Sequence, residues 1–292
     1  MANKIIASKI MTDAQADAMH KQFLSPEHCR TLITEDTDVY ELNTNKLLAR
    51  FRKNAISLDV LKLGVDSFRD SIERTEGRGA ASGHSGKRIR KDGSISNTTV
   101  GNFVESGNVG YMDSSAMVRY CRKTAFAKKY FDKFTQGIPF VQAIDKLYAE
   151  LAPVHYARQM NISKATNVNY RIADTSFTTV TVNKNFQTAV HKDSGDLPDG
   201  FGNLIAYREG NWGGCYFTLL QYGLGFDLQN TDVLFVDVHQ WHANTPFTNF
   251  NPEAGDLRIS FVLYYREYMY MCKTPSEELA RVKQDQNGFL KL

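Results

Sequence analysis

The first third of the chain has apolar residues at roughly helical spacing. Thr12 or Asp13 is a suitable cap for a helix that runs through Phe23, because short oxygen-bearing side chains bind the free N–H groups of a first turn. Ser57 is placed to cap a second helix over 58–68 in the same way. The pattern therefore predicts a helical start to the fold.

Two more helices are predicted in the middle of the chain. Residues 114–134 combine a series of basic side chains with aromatic residues, which fits a packed helix with a charged outer face. Residues 140–151 have apolar positions three and four apart and end before Pro153, where the ring of proline would interrupt a helix.

After residue 170 the pattern changes to short β-type runs separated by Gly, Asn and Asp turn residues. The predicted strands are 177–182, 202–208, 216–221, 225–228, 232–238 and 257–265. Short strands at this spacing favour a sandwich or barrel, here of the jelly-roll type. The predicted fold class is α+β, with a double-stranded β-helix (jelly-roll) core flanked by N-terminal helices.

These patterns divide the chain into a helical N-terminal region, 1–75, and a jelly-roll domain, 76–292. The domain begins with a Gly-rich basic loop over 77–93. From Arg74 to Lys91 there are six basic residues and one acidic residue. Two interpretations stay open for this loop: a solvated linker, or a flexible segment that contacts phosphates.

The bulk composition restricts the function classes. A net charge of +3 excludes a general polycation, so any nucleic-acid footprint has to be local. Cys29, Cys121, Cys215 and Cys272 are scattered without a CxxC pair, which predicts reduced thiols in an intracellular protein. No run of eighteen apolar residues exists, so we expect no membrane partner and a cytoplasmic or nuclear location.

The strongest chemical signal is a histidine and an aspartate two residues apart. In an extended strand His191 and Asp193 point to the same side and can bind one ion. His242, from a distant strand, would complete a site of two histidines and one carboxylate. Such a site leaves open positions on the metal, as an oxygen-activating Fe(II) centre requires.

Arg258 follows His242 by sixteen residues, at the start of another predicted strand. Its guanidinium suits the far carboxylate of 2-oxoglutarate, which it can hold by two hydrogen bonds. On the same side of this strand we expect Ser260, Val262 and Tyr264, a mixture of polar, small apolar and aromatic groups. This mixture is typical of a pocket for an acid and a planar substrate.

Three neighbouring residues admit more than one interpretation. His239 and His242 are three apart and cannot share one face of a regular strand, so only one is expected to bind the metal. Asp196 is either a turn-forming aspartate or an acceptor for an N–H group of a base. Asp237 is placed to orient a histidine.

The chain resembles the TET/JBP family of Fe(II)- and 2-oxoglutarate-dependent nucleobase dioxygenases. The segments that carry the resemblance are TVTVN (179–183), HKDSGD (191–196), HANTP (242–246) and RISFVLY (258–264). The likeness covers roughly 170–270 and weakens toward residue 95. It indicates His242, rather than His239, as the second histidine ligand.

The resemblance implies a role for each matching position. The implied residues are His191, Asp193 and His242 for iron, Arg258 and Ser260 for 2-oxoglutarate, and Tyr264, Asp196 and Val262 for the base. Tyr264 would stack on a base flipped out of double-stranded DNA, Asp196 would contact its polar edge, and Val262 would line the space for its methyl group. The implied cofactors are Fe(II), 2-oxoglutarate and O₂.

The implied reaction is hydroxylation of the 5-methyl group of 5-methylcytosine or thymine in DNA. The sequence leaves open which base is used, whether the substrate is DNA or a free nucleotide, how far oxidation proceeds, and the oligomeric state. Two alternative functions remain: a 2-oxoglutarate-dependent hydroxylase of a small molecule or amino acid, and a non-catalytic jelly-roll that binds modified DNA.

Overall fold

A computed structural model describes residues 2–83, 87–89, 94–99, 102–114 and 119–289. Most of the helices lie between residues 58 and 165, with a short one near the N-terminus and a long one at the C-terminal end. In chain order they are α1 (Asp13–Ala18), α2 (Leu58–Phe68), α3 (Ala125–Lys129), α4 (Phe131–Gln136), α5 (Ile138–Leu151), α6 (Pro153–Ala165) and α7 (Pro275–Phe289).

The strands before α3 are β1 (Asn3–Ala7), β2 (Thr31–Ile33), β3 (Thr37–Glu41), β4 (Leu47–Arg52), β5 (Glu73–Thr75), β6 (Lys87–Ile89), β7 (Ile95–Thr99), β8 (Val104–Ser114) and β9 (Arg119–Lys123). Those after α6 are β10 (Thr179–Lys184), β11 (Gly202–Glu209), β12 (Gly213–Gly214), β13 (Phe217–Leu219), β14 (Leu224–Phe226), β15 (Val233–Val236), β16 (His242–Asn244), β17 (Phe247–Thr248) and β18 (Leu257–Tyr264).

Two sheets face each other across one cavity. The large sheet has the order β1-β3-β4-β15-β11-β18-β10-β8-β5, with β9 paired to β8. The small sheet has the order β16-β13-β14-β2. Strands far apart in sequence are therefore neighbours, as in the pairing of β10 with both β8 and β18.

The hydrophobic core lies on both sides of the large sheet. One cluster joins its outer face to the helices, and the ring of Phe261 on β18 lies 5.0 Å from that of Phe140 on α5. A second cluster joins its inner face to the small sheet through residues such as Leu204 and Phe226. Because side chains alternate along a strand, β18 supplies the outer core with Ile259 and leaves its other face for the cavity.

Several predicted elements are confirmed. Helix α2 spans the predicted 58–68, and the Ser57 side chain accepts a hydrogen bond from Val60 N. Thr12 caps α1 in a reciprocal capping box with Gln15, although that helix ends at Ala18. Each of the six predicted strands after residue 170 has a counterpart, with ends displaced by a few residues.

The N-terminal region is not mainly helical, as the sequence pattern predicted. Strands β1, β3 and β4 join the large sheet, and β2 joins the small one. β4 is a strand because it pairs with β15, whose residues Val233–Val236 lie about 180 positions later in the chain. The spacing of apolar residues along the chain cannot indicate a pairing partner so far away in sequence. The division into domains 1–75 and 76–292 stays a prediction.

The predicted helix over 114–134 is wrong in its first half. β9 (Arg119–Lys123) pairs with β8, and two short helices, α3 and α4, follow. Thr124 caps α3 by accepting a hydrogen bond from Ala127 N, so the helix starts eleven residues later than predicted. Residues 115–118 lie outside the described part of the chain.

The predicted basic loop over 77–93 contains regular structure where it is described. A 3₁₀ turn spans Gly79–Ser82, and β6 pairs with β7 in antiparallel orientation. Residues 84–86 and 90–93 lie outside the described part of the chain. Contact of this loop with phosphates stays a prediction.

The prediction of four reduced thiols is wrong at two positions. Cys121 on β9 and Cys272, just before α7, form a disulfide with a Cα–Cα distance of 5.6 Å across 151 residues of sequence. Spacing along the chain could not indicate a pair that tertiary folding creates. Cys29 and Cys215 are free. None of the helices within the described residues has the length and apolar character needed to cross a membrane.

Replacement of Phe261 by alanine tests the packing of the helical layer on β18. Phe261 is fully buried, so Phe261→Ala should lower the free energy of unfolding by about 3–5 kcal/mol. Urea denaturation followed by circular dichroism measures this change. The control is Phe131→Ala, since Phe131 is 50% exposed, and its effect should stay within about 0.5 kcal/mol. Equal effects of the two changes would contradict the described core.

Candidate active site

His191, Asp193 and His242 converge on one point of the cavity between the two sheets. The centroids of the two imidazole rings are 4.3 Å apart. The carboxylate oxygens of Asp193 lie 3.4 Å from Nε2 of His191 and 3.9 Å from Nε2 of His242. One ligand atom of each residue lies within 4.8 Å of the others, so the three side chains can hold a single metal ion.

A two-residue backbone bridge brings the histidines together. His191 N donates to the carbonyl oxygen of His242, and His242 N donates to that of His191, both at 3.0 Å. Three residues before His191, the Thr188 hydroxyl donates to Asn244 Oδ1 at 2.7 Å. The segment before Asp193 is therefore attached to the edge of the small sheet beside β16.

Both imidazoles are oriented through Nδ1. His191 Nδ1 lies 2.8 Å from the carbonyl oxygen of Ala189, and His242 Nδ1 lies 2.9 Å from that of Gln240. Because each Nδ1–H can donate to its carbonyl, each Nε2 keeps its lone pair for a metal. The ring of Phe217 stacks on His242 at 5.1 Å and restricts the rotation of that imidazole.

The protonation of His242 and Asp193 suits metal binding. Burial, assisted by the neighbouring His191, lowers the pKa of His242 to about 4, so this ring is neutral at pH 7. Burial alone would raise the pKa of Asp193, but its hydrogen bond and charge interaction with His191 bring it to about 2. The same pair raises the pKa of His191 against the effect of its own burial. A divalent cation would displace the proton shared by this pair.

Arg258 presents a buried cation to the same cavity. It is 6% exposed, and its guanidinium makes no hydrogen bond to any residue that the structure describes. Its backbone is fixed instead: Arg258 N donates to Asn185 Oδ1 and Asn185 N donates to the Arg258 carbonyl oxygen, both at 2.8 Å. A buried guanidinium that is unpaired among the described residues, on a fixed backbone, is suited to a carboxylate ligand.

The alternation predicted along β18 is confirmed. Ser260, Val262 and Tyr264 line the cavity together with Arg258, and the cavity has a volume of about 430 Å³. The Tyr264 hydroxyl lies 3.3 Å from the Thr181 hydroxyl on β10. These residues lie where the sequence predicted, whereas their roles toward a ligand stay predictions.

Asp196 lies at the end of the cavity where β18 leaves the sheet. Its backbone forms an antiparallel bridge with that of Arg266, whose Nε donates to Asp113 Oδ1 at 2.6 Å. Burial and the nearby charge of Asp193 raise the pKa of Asp196 well above its usual range, and Arg266 opposes them. A carboxyl group and a guanidinium thus border one part of the cavity.

His239 lies outside the metal-binding group, as the sequence predicted. Its Nδ1 lies 3.1 Å from Asp237 Oδ1, and Lys46 Nζ donates to the other oxygen of Asp237 at 2.8 Å. Asp237 therefore orients His239, whereas backbone carbonyls orient His191 and His242, the two candidate metal ligands.

Arg78 is a cavity residue that the sequence did not single out. Its guanidinium donates to the carbonyl oxygen of Gly107 at 2.8 Å, to Asn108 Oδ1 at 3.1 Å and to the Thr181 hydroxyl at 3.4 Å. Arg78 thereby holds the 77–82 segment over the cavity. Its partner Thr181 is also the residue whose hydroxyl lies close to that of Tyr264. In the sequence, only its position inside the Gly-rich basic segment pointed to Arg78. That position does not distinguish Arg78 from the other arginines of the segment.

Comparison with known proteins gives relatives and a common fold. The chain is 39% identical over 165 residues to "Bifunctional helicase and thymine dioxygenase JBP2" of Trypanosoma cruzi, covering 56% of this chain and 15% of that protein. It is 32% identical over 201 residues to "Thymine dioxygenase JBP1" of Trypanosoma brucei brucei, covering 63% and 24%. The chain thus spans at most about a quarter of the length of these two relatives.

Among solved structures, "NgTET1 in complex with 5mC DNA" matches with a TM-score of 0.57 and 15% identity, over 87% of this chain and 90% of that one. At this identity the match establishes the fold, and it confirms the predicted α+β class with a double-stranded β-helix core.

The family is established by sequence. Residues 108–267, more than half of the chain, match Tet_JBP, the "Oxygenase domain of the 2OGFeDO superfamily". This superfamily uses Fe(II), 2-oxoglutarate and O₂, the cofactors expected from the sequence. The matched range contains the three candidate metal ligands and Arg258. The chain therefore belongs to the TET/JBP family of 2-oxoglutarate- and Fe(II)-dependent oxygenase domains.

Proposed function

We propose that this protein is a dioxygenase that hydroxylates the 5-methyl group of a pyrimidine base in DNA. One observation carries the proposal: the guanidinium of Arg258, buried and without a partner among the described residues, faces the same cavity as the three side chains that can hold a metal ion. The names of the relatives JBP1 and JBP2 support action on a base of DNA.

The side chains fit the cofactors of the family. His191, Asp193 and His242 would hold Fe(II) from one side and leave the other side open. Arg258 would bind the far carboxylate of 2-oxoglutarate through its two-pronged guanidinium, and the Ser260 hydroxyl would add a hydrogen bond. When bound, Fe(II), 2-oxoglutarate and O₂ supply the oxidation of a C–H bond to C–OH, with succinate and CO₂ as the other products.

Thymine is the first substrate that we propose. The curated relatives at 32–39% identity carry thymine dioxygenase in their names, whereas the solved structure bound to 5-methylcytosine DNA shares 15% identity. The carboxyl group of Asp196 does not separate the two bases, because it can accept from N3–H of thymine or from the N4 amino group of cytosine. The proposed product is 5-hydroxymethyluracil, and 5-methylcytosine is the second candidate substrate.

The protein has to take the base out of the stack, since a 5-methyl group inside a duplex cannot reach a buried metal. Extrusion costs a few kcal/mol, and stacking on Tyr264 would recover part of this cost. Tyr264 is held in place through Thr181, Asn108 and Arg78. Asp196 would contact the polar edge of the base, while Val262 would border its methyl group.

Action on DNA requires a compartment that contains DNA. We therefore propose a cytoplasmic or nuclear location, in agreement with the expectation from the sequence. The basic loop over 77–93 would add phosphate contacts, and these would make the activity sensitive to salt.

Product analysis tests the proposal against its alternatives. Wild-type protein is incubated with Fe(II), 2-oxoglutarate and oligonucleotides that contain thymine or 5-methylcytosine, and the nucleosides are then examined by mass spectrometry. A 5-hydroxymethyl product supports the proposal. Succinate formation stimulated only by small molecules would favour a small-molecule hydroxylase. DNA binding without succinate formation would favour a non-catalytic binder of modified DNA.

Removal of a metal ligand should abolish metal binding. Asp193→Ala leaves two histidines without their carboxylate, so the affinity for Co(II), used as a probe for Fe(II), should fall at least about 100-fold. Isothermal titration calorimetry of the metal-free protein measures this affinity. His28→Ala is the control, since His28 contacts Ser25 away from the cavity. Wild-type affinity in the Asp193 variant would contradict the assignment of the ligands.

Arg258→Lys separates charge from geometry in the 2-oxoglutarate site. Lysine keeps the positive charge but loses the paired N–H groups, so we expect an affinity about 10- to 100-fold lower, because each charge-assisted hydrogen bond contributes roughly 1.5–3 kcal/mol. Titration of the Co(II)-loaded protein with 2-oxoglutarate gives the dissociation constant. Ser260→Ala is the comparison and should have a smaller effect. An unchanged constant in Arg258→Lys would show that another cation binds the carboxylate.

Tyr264 is expected to act on the base and not on 2-oxoglutarate. Tyr264→Leu should reduce base hydroxylation roughly 10-fold through the loss of stacking, with little effect on succinate formed without DNA. Tyr264→Phe keeps the aromatic ring and should retain most of the hydroxylation. Mass spectrometry of nucleosides and a succinate assay separate the two readouts. A parallel loss of both activities in Tyr264→Leu would indicate a structural role instead.

A further inference from the structure

A second cavity, of about 390 Å³, opens beside the active-site cavity. Phe186 lines both cavities and forms part of the wall between them. The 3₁₀ turn Gly79–Ser82 contributes to both as well, with Ala81 on the active-site side and Ser82 on the other. The two spaces are therefore neighbours on one face of the protein.

The wall between the cavities is held by specific contacts. Ala189 N donates to the carbonyl oxygen of Ala81 at 2.8 Å, and Asn102 Nδ2 donates to that of Ser82 at 2.9 Å. Phe23 packs so closely on Gly83 that a Cβ at this glycine would lie 2.8 Å from its ring. The second cavity thus has a fixed position relative to the metal-binding residues.

An exposed aromatic ring and a free cation line this second cavity. Phe103 is 58% exposed, an unusual state for a phenylalanine beside a cavity. The guanidinium of Arg74 lies 4.8 Å from the centroid of the Phe103 ring. It makes no hydrogen bond or ion pair with any other residue in the described ranges, so its donors are available to a ligand.

The charges of this surface form a row across three strands. Arg74 on β5 lies opposite Glu105 on β8, which lies opposite Lys184 on β10. Lys184 Nζ is 3.1 Å from Glu105 Oε1, so these two charges neutralise each other. Arg74 is left as the net positive charge of the row, and this suits an anionic partner.

We propose that the second cavity binds the nucleotide next to the extruded base, with Phe103 stacked on its base and Arg74 in contact with its phosphate. The inference rests on the proposed function, because a base in the active-site cavity brings its own backbone to the shared wall. An aromatic ring stacks on any base, and a free cation neutralises any phosphate. This site therefore adds affinity for a strand without adding sequence preference.

DNA binding by metal-free protein tests the site without the oxidation reaction. The fluorescence anisotropy of a labelled thymine-containing oligonucleotide is measured over a range of salt concentrations. Phe103→Ala should weaken binding roughly 10-fold through the loss of one stacked base. Arg74→Gln should weaken binding and reduce the slope of log K against log [salt] by about one, because one phosphate contact is lost.

Matched variants distinguish the site from general surface effects. Phe131→Ala removes another half-exposed aromatic residue and Arg158→Gln removes another exposed arginine, and both should bind DNA like the wild type. Phe103→Tyr keeps a stacking ring and should also retain affinity. An oligonucleotide with 2-aminopurine beside the target thymine should be quenched on binding to the wild type and not on binding to Phe103→Ala.

The results of these experiments distinguish a failure of the second site from a failure of the proposed function. Wild-type affinity and salt slope in both Phe103→Ala and Arg74→Gln would overturn the second site, even if the wild type hydroxylates thymine in DNA. Loss of affinity and of quenching in these variants would support the site. The same loss, combined with no hydroxylation by the wild type, would support the site and overturn the proposed function.

Discussion

The backbone bridge between His191 and His242 is the constraint on which the site depends. Two reciprocal N–H···O=C hydrogen bonds join segments that are 51 positions apart in the chain and bring their imidazoles to 4.3 Å. The bridge fixes the backbones, and the carbonyl oxygens of Ala189 and Gln240 then fix the rings. The geometry of the candidate metal site is therefore set mainly by main-chain groups, which have fewer alternative conformations than long side chains. Asp193 can complete the candidate metal site because it lies only two residues after the anchored His191.

One strand connects the stability of the protein with its chemistry. Along β18 the odd-numbered residues, such as Phe261, are packed against the helical layer, while even-numbered residues from Arg258 to Tyr264 line the cavity. Because β18 is hydrogen-bonded to β11 on one side and to β10 on the other, it cannot slide along its neighbours. A change of register by one residue would turn the cavity residues into the core and expose Phe261 to the cavity. Hydrophobic packing on one face thus fixes the positions of polar groups on the other.

The charged groups divide the cavity into regions that favour different chemical groups of a ligand. Around the metal-binding group, burial keeps His242 neutral and the pairing with His191 keeps Asp193 ionised. In the proposed function, the guanidinium of Arg258, which is unpaired among the described residues, would bind a carboxylate, and the carboxyl group of Asp196 would contact the polar edge of a base. Beyond the shared wall, Arg74 would contact a phosphate in the proposed second site. Together, 2-oxoglutarate and a nucleotide strand would satisfy all of these groups.

The sequence by itself determined the features that depend on local periodicity. The alternation of side chains along β18 aligned Arg258 with Tyr264, and this arrangement is found in the structure. His191 and Asp193 lie together as predicted, but an isolated bridge at His191 holds them there and not the regular strand that the sequence predicted. Features that depend on distant partners were decided only by the tertiary structure. The pairing of β4 with β15, the disulfide between Cys121 and Cys272 and the contact of Arg78 with Thr181 all join segments that are about 100 to 190 residues apart. Local patterns do not record such contacts, because strand pairing and side-chain contact are settled when the chain packs.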